Sequence, residues 1–131
     1  MTLSKLTLIL TIIITLSIGT VLLINNSAKV IAQGNEISIT IIKDAPNKAN
    51  KAFNPDIVNI KAGQKVKWTN MDSSIHTVTS GTDANDPQSG KVFDSKALSA
   101  NAHCEFTFQT QGVFSYYCQF HPQMVGKVIV S

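Results

Sequence analysis

The sequence contains no arginine, only two cysteines and only three histidines among its 131 residues. Arginine is the usual bidentate reader of bases and phosphates, so its absence argues against a nucleic-acid partner. Two cysteines are too few for a multi-bridge disulfide scaffold or for a four-cysteine zinc or iron–sulfur site. Three histidines are too few for the copper cluster of a multinuclear oxidase. The seven glycines are spread too widely for a phosphate-cradling loop.

Most of the net positive charge of the chain comes from its N-terminal stretch and not from residues 33–131. The formal net charge is +3, but two of the eleven lysines, Lys5 and Lys29, flank the apolar N-terminal stretch. The remaining nine lysines face eight acidic residues, which leaves residues 33–131 near +1. A basic surface for nucleic acid is therefore not supported.

The N-terminal part is a candidate membrane-directed leader. Residues 6–24 form 19 consecutive positions without a charged side chain, rich in Leu, Ile and Val. A helix of that length would be roughly 28 Å long, close to the thickness of the hydrocarbon core. The stretch predicts either an uncleaved membrane anchor or a signal peptide cleaved near Ala32. Both readings predict a leader over residues 1–32 and an extracytoplasmic domain over residues 33–131.

The domain shows apolar residues at period two. Alternation is clear around 37–41, 65–70, 105–108, 114–117 and 128–130. Turn-forming segments separate these stretches, and no segment of ten or more residues has a helical stripe. Several short strands in about 100 residues predict an all-β sandwich or barrel.

The segment Cys118-Gln119-Phe120-His121-Pro122-Gln123-Met124 carries the strongest chemical signal. It spaces a thiol, an imidazole and a thioether as C-x-x-H-x-x-M, just after a predicted strand. A second imidazole, His76, opens another strand-like stretch upstream. Two imidazoles, a thiolate and a weak thioether form a donor set that suits a copper ion cycling between Cu(I) and Cu(II).

These motifs resemble those of the plastocyanin- and amicyanin-type blue copper proteins over about residues 35–131. The resemblance rests on Phe53-Asn54-Pro55, on residues 62–70 and 75–78, and on the stretch from Gly112 to Val130. The short loop, with Pro directly after its His, is most similar to that of amicyanin. The resemblance implies a Greek-key cupredoxin sandwich of about seven or eight strands. It also implies one copper, with His76, Cys118, His121 and Met124 as ligands.

Four residues call for separate expectations. The family usually has Asn after the first His and often Ser or Thr after the Cys, where this chain has Thr77 and Gln119. These departures bear on the potential and rigidity of the site. Cys104 shares the inward parity of its strand, so we expect a buried free thiol, with an intermolecular bridge as the alternative. His103 has the opposite parity, and we expect it to be exposed and not a ligand.

The leading functional hypothesis is a monomeric type 1 copper electron carrier, membrane-anchored or exported, that serves membrane-associated protein redox partners. An exported copper-delivery protein without a redox role is the alternative. The chain is not expected to be an enzyme, because it lacks the extra domains and histidines of copper reductases and oxidases. Alternation predicts that Tyr117 faces solvent. It is then either plain surface or, as the resemblance to plastocyanins implies, part of a partner-docking patch. Phe120 and Pro122 flank His121 in the sequence, and we hypothesise that they form an apolar docking patch through which electrons enter or leave.

Overall fold

The computed structural model describes residues 36–131, and this part of the chain is built from eight β-strands. The strands are β1 Glu36–Ile41, β2 Phe53–Asn54, β3 Ile57–Ile60, β4 Lys65–Asn70, β5 Thr79–Ser80, β6 His103–Thr107, β7 Gly112–Tyr117 and β8 Val125–Val130. The predicted all-β architecture of seven or eight strands is confirmed for the described residues. The predicted helix over residues 6–24, the cleavage site near Ala32 and the domain boundary at residue 33 lie outside them.

The strands form two four-stranded sheets. One sheet has the order β2-β1-β4-β6 and the other the order β3-β8-β7-β5. Strands β1 and β4 run parallel, as do β3 and β8, whereas β7 and β8 are antiparallel. The pairing of β7 with β8 matters most for function, because the chain that joins their adjacent ends contains the C-x-x-H-x-x-M segment.

The core lies between the two sheets and is rich in aromatic side chains. Alternate residues of β4 are buried, including Val66 and Trp68, as the period-two pattern predicts. The Trp68 ring lies edge-on to Tyr116, with ring centroids 5.5 Å apart, and stacks on Phe93 at the same distance. This packing fixes the position of β7, whose last residue directly precedes Cys118.

Sequence reasoning missed two strands and misjudged one side chain. Strands β2 and β3 were not predicted, and the stretch opened by His76 forms only an isolated bridge to Leu98 before β5. Tyr117 is buried, with 1% of its surface exposed, although alternation predicts that it faces solvent. The reason is that the Asp83–Gly90 loop covers this side of β7, where Ser89 Oγ lies 2.7 Å from the Tyr117 hydroxyl. The prediction that Tyr117 contributes to a solvent-facing patch is therefore wrong.

Residues 44–51, between β1 and β2, contain two short 3₁₀ turns, Ala45–Asn47 and Ala49–Lys51. Ala45 is buried, so this segment packs against the domain. Within residues 36–131 there is no helix both long and apolar enough to cross a membrane.

Candidate metal centre

Three of the four predicted ligands meet at one end of the sandwich. Cys118 directly follows β7, His121 lies in the loop between β7 and β8, and His76 precedes β5. The Cys118 Sγ atom lies 3.8 Å from His76 Nδ1 and 3.7 Å from His121 Nδ1. The potential donor atoms of these residues all lie within 4.8 Å of one another. The structure thus brings His76 next to two residues that follow it by more than forty positions in the sequence.

Backbone hydrogen bonds within the loop bring its ligands together. The Cys118 N–H donates to the Met124 carbonyl at 3.1 Å, and the Met124 N–H donates to the His121 carbonyl at 2.9 Å. The His121 N–H donates back to the Cys118 carbonyl at 3.2 Å. Met124 is fully buried in the same core cluster as Cys118. The loop therefore curls back on itself and returns Met124 to the side of Cys118.

His76 is held from both its backbone and its ring. Its N–H and carbonyl bond to the Leu98 backbone at 3.1 and 2.8 Å. Its Nε2 lies 2.8 Å from Asp72 Oδ2, and the ring is fully buried. With Nε2 occupied by a carboxylate, Nδ1 is the nitrogen left to face Cys118. A histidine ligand is commonly fixed in this way by an acceptor on its second nitrogen.

Asp72 is a functional candidate that sequence reasoning missed. Its hydrogen bond with His76 is the main reason why the pKa of its carboxyl lies below the usual value. The only sequence signal is an acidic residue four positions before a histidine, a spacing too common to indicate a contact. The contact arises because the chain turns between β4 and His76.

The sulfur atom also has a backbone donor. The Thr77 N–H lies 3.3 Å from Cys118 Sγ, a contact that favours the thiolate. The Thr77 hydroxyl accepts the Gln119 N–H at 2.8 Å and lies 3.0 Å from the Thr79 hydroxyl. Thr77 therefore links the segment carrying His76 to the segment carrying Cys118. Gln119 takes part in this link only through its backbone N–H, and its side chain is exposed.

The four predicted ligands differ in their exposure. His76, Cys118 and Met124 are buried, whereas His121 is half-buried. The neighbours of His121 in the loop, Phe120 and Pro122, are both exposed, and Phe120 exposes 54% of its surface. Phe120 and Pro122 are therefore open to solvent beside His121, whereas Tyr117 is not, and the docking role of Phe120 and Pro122 stays a prediction.

The remaining histidine and cysteine stand apart from the centre. His103 is exposed on β6, as predicted, and is not part of the His76–Cys118–His121 cluster. Cys104 and Cys118 form no disulfide with each other, and the free thiol expected at Cys104 stays a prediction. Cys104 is half-buried rather than fully buried, and burial raises the pKa of its thiol to about 11.

The donor set fits a single ion. Sulfur-to-nitrogen separations of 3.7–3.8 Å are what two bonds of about 2.0–2.3 Å span when they meet at roughly 120°. Two imidazoles and one thiolate, together with the thioether of the buried Met124, are the donor types of a blue-copper electron-transfer centre. A two-sheet β-sandwich with this arrangement at one end defines the cupredoxin class.

Comparison with known proteins places the chain in a family. Residues 42–131 match the model of copper binding proteins of the plastocyanin/azurin family, and the chain belongs to that family. Its cofactor is copper. The matched range contains all four predicted ligand positions, His76, Cys118, His121 and Met124.

Individual relatives agree with this placement. The chain is 36% identical over 84 residues to amicyanin-alpha of Methylorubrum extorquens, covering 63% of this chain and 66% of that protein. It is 33% identical over 96 residues to the chloroplastic plastocyanin of Tetradesmus obliquus, covering 60% and 57% of the two chains. The match thus spans less than two thirds of these curated relatives. A solved structure, a purple cupredoxin from Nitrosopumilus maritimus, is 35% identical, with a TM-score of 0.64, covering 72% of this chain and 98% of that one.

Proposed function

We propose that this protein is a mononuclear type 1 copper electron carrier whose ligands are His76, Cys118, His121 and Met124. The observation that carries the proposal is the meeting of one thiol and two imidazole nitrogens within 4.8 Å. Bound copper would supply a one-electron couple between Cu(II) and Cu(I). The exchange of that electron requires a protein that holds both states with little movement.

The residues of the site suit this task for separate reasons. The Cys118 thiolate is a strong donor, supported by the Thr77 N–H. The two imidazoles would suit both oxidation states of copper, and the Met124 thioether would add a weak fourth donor. Because His76 and the β7–β8 loop are held by backbone hydrogen bonds, the ligands are pre-positioned. A pre-positioned site keeps the rearrangement on electron transfer small.

Electrons would enter and leave through the edge of His121. This is the one proposed ligand that is half-buried rather than buried. Phe120 and Pro122 form an exposed apolar patch on either side of it, here called the His121 patch. A partner that covers this patch would come close to the metal without displacing a ligand. No coordination position would remain for a substrate, so the proposal includes no enzymatic activity.

The proposed setting is outside the cytoplasm. The sequence of residues 6–24 supports a membrane anchor, or a signal peptide that is cleaved near Ala32. Residues 33–131 would then be a monomeric copper domain that serves protein redox partners associated with the membrane. A tethered carrier would diffuse in two dimensions between its donor and its acceptor.

Copper delivery is the competing function, and copper exchange separates the two. The domain comprising residues 33–131 is loaded with one copper and studied by voltammetry. It is also mixed with a Cu(I) chelator that forms a coloured complex. A carrier gives a reversible one-electron wave and releases copper slowly, because His76, Cys118 and Met124 are buried. Rapid and complete transfer to the chelator, with no reversible wave, would favour delivery and contradict the proposal.

A further inference from the structure

The two imidazoles of the proposed copper site have different surroundings. His76 Nε2 pairs with a buried carboxylate, Asp72, at 2.8 Å. His121 is half-buried. Within residues 36–131 its ring nitrogens have one side-chain contact at hydrogen-bond distance, between Nδ1 and Cys118 Sγ. A charge is therefore placed behind one proposed ligand and not behind the other.

Hydrogen bonds hold Asp72 through both its carboxylate and its backbone. Its Oδ1 atom accepts the N–H groups of Asp44 at 3.0 Å and Ser73 at 2.9 Å. Its own N–H donates to Asn70 Oδ1 at 3.0 Å, and only 6% of its surface is exposed. Asn70 is itself fixed by two carbonyls, those of Ser74 and Leu98, at 2.8 and 2.9 Å. Both oxygens of the carboxylate are therefore engaged, Oδ1 by two backbone N–H groups and Oδ2 by the imidazole.

The charge of Asp72 has no lysine partner in the described part of the chain. Its only ion-pair contact there is with His76 Nε2. A carboxylate removed from water costs free energy unless a positive charge lies near it. The nearest positive charge that the proposed function provides is the copper ion on the other side of the His76 ring.

We propose that Asp72 is a positioning residue that fixes the tautomer of His76 and biases the copper couple toward Cu(II). This inference rests on the proposed function, because it takes His76 as a ligand. With Nε2–H donating to Asp72, Nδ1 keeps its lone pair for the metal, and the carboxylate makes the imidazole a stronger donor. Added negative charge stabilises the divalent ion more than the monovalent one.

The effect of the Asp72 charge is tested by measuring the reduction potential of the copper-loaded Asp72→Asn variant against that of wild type. The variant removes the charge while keeping the size. We expect the ratio of Cu(I) to Cu(II) at a given potential to rise at least tenfold, which corresponds to about 59 mV for one electron. Asp72→Glu keeps the charge and should shift the ratio by less than Asp72→Asn.

Asp86→Asn is the matched control. Asp86 also accepts two backbone N–H groups, from Thr82 at 2.9 Å and Gln88 at 2.8 Å, but it contacts none of the proposed ligands. Its substitution should leave the potential unchanged. If wild type, Asp72→Asn and Asp86→Asn had equal reduction potentials, the proposed role of the Asp72 charge would be wrong. This holds even if Asp72→Asn is less stable than wild type.

The tautomer is tested without any metal and without any substitution. Asparagine has only one acceptor oxygen, so Asp72→Asn is expected to lose stability, and the variant could fail to fold. Nitrogen-15 NMR of metal-free wild-type protein at neutral pH should show His76 as the Nε2–H tautomer with a slowly exchanging proton. An Nδ1–H tautomer would overturn the inference. If copper-loaded wild type lacked intense visible absorption, the proposed function would be contradicted. The NMR result would still decide the tautomer of His76, because it is measured without metal.

Discussion

At the scale of single residues, Thr77 connects the two chain segments that supply the proposed ligands. Its N–H points to Cys118 Sγ and its hydroxyl accepts the Gln119 N–H. The sequence marks Thr77 as a departure from the usual Asn of the family. The structure indicates that a threonine hydroxyl suffices to join the segments, because the group it bonds is a backbone N–H whose position does not depend on the side chain of Gln119.

Replacing Thr77 with valine should loosen this link. The change keeps the shape but removes the acceptor for the Gln119 N–H, so we expect a loss of about 1–2 kcal/mol in the free energy of unfolding of the metal-free protein. Copper should also dissociate faster. Urea denaturation and transfer to a chelator measure the two effects. Thr40→Val is the control, because the Thr40 hydroxyl bonds one exposed carbonyl at 3.3 Å; equal losses in both variants would contradict the linking role.

The thiol of Cys104 should react slowly with alkylating reagents in the folded protein. Burial raises its pKa from 9.0 to about 11, and the thiolate is the reactive form. In Cys118→Ser, where Cys104 is the only cysteine, the labelling rate should rise about tenfold per pH unit up to about pH 11. The unfolded chain loses this proton at a lower pH, so stability should fall as the pH rises above about 9. A labelling rate that levels off near pH 9 in folded protein would contradict this.

At the scale of elements, the pairing of β7 with β8 supports the whole loop. Tyr116 of β7 lies opposite Gly126 of β8, and a side chain at Gly126 would overlap the Tyr116 ring. The ring can lie across the neighbouring strand only because glycine leaves that space open. It is held there by contacts with Trp68 and Phe53. The positions of Cys118 and Met124 therefore depend on a glycine outside the motif.

Gly126→Ala should destabilise the domain and disturb the site. A methyl group forced against a buried aromatic ring costs about 1–3 kcal/mol, sometimes more. We expect that loss in thermal or urea denaturation, together with a changed visible spectrum of the copper form. Ser115→Ala, on β7, should change stability by less than about 0.5 kcal/mol. Unaltered stability of Gly126→Ala would show that the ring is not confined as described.

The elements also show where sequence reasoning succeeds. Strands such as β1 and β4 bury alternate residues, and their period-two pattern predicts them directly. β2 has two residues and β3 has four, so neither gives a long enough pattern. Tyr117 was misjudged because alternation describes the two faces of a sheet and not the loop that covers one of them. Asp72 was missed because its partner is set by a turn, whereas the C-x-x-H-x-x-M spacing is local and could be recognised.

At the scale of the whole described domain, the proposed copper centre and the start of β7 lie at opposite ends of a strand. β7 runs from Gly112 to Tyr117, just before Cys118. Val113, with 63% of its surface exposed, lies near the far end, roughly 17 Å along the strand from Cys118. Val113 is thus an exposed apolar side chain remote from the proposed copper centre, whereas Phe120 and Pro122 are exposed in the loop that carries His121.

This arrangement gives a test of the His121 patch. Phe120→Lys and Pro122→Lys should slow electron exchange with a protein partner, or self-exchange at high concentration, by about tenfold or more. Their visible spectra should stay close to wild type, because neither residue is a proposed ligand. Val113→Lys adds the same charge at the far end and should leave the rate within about twofold. Equal slowing by all three substitutions would indicate a general charge effect and contradict docking at the patch.

The most direct test of the account is copper titration of residues 33–131, followed by visible absorption, for wild type and Cys118→Ser. We expect wild type to bind one Cu(II) and to develop one intense band from the sulfur–copper bond, which colours the protein blue. Cys118→Ser should lose that band while its fold is retained. A wild-type protein that stays colourless with Cu(II), or a Cys118→Ser variant that keeps the band, would contradict the central claim.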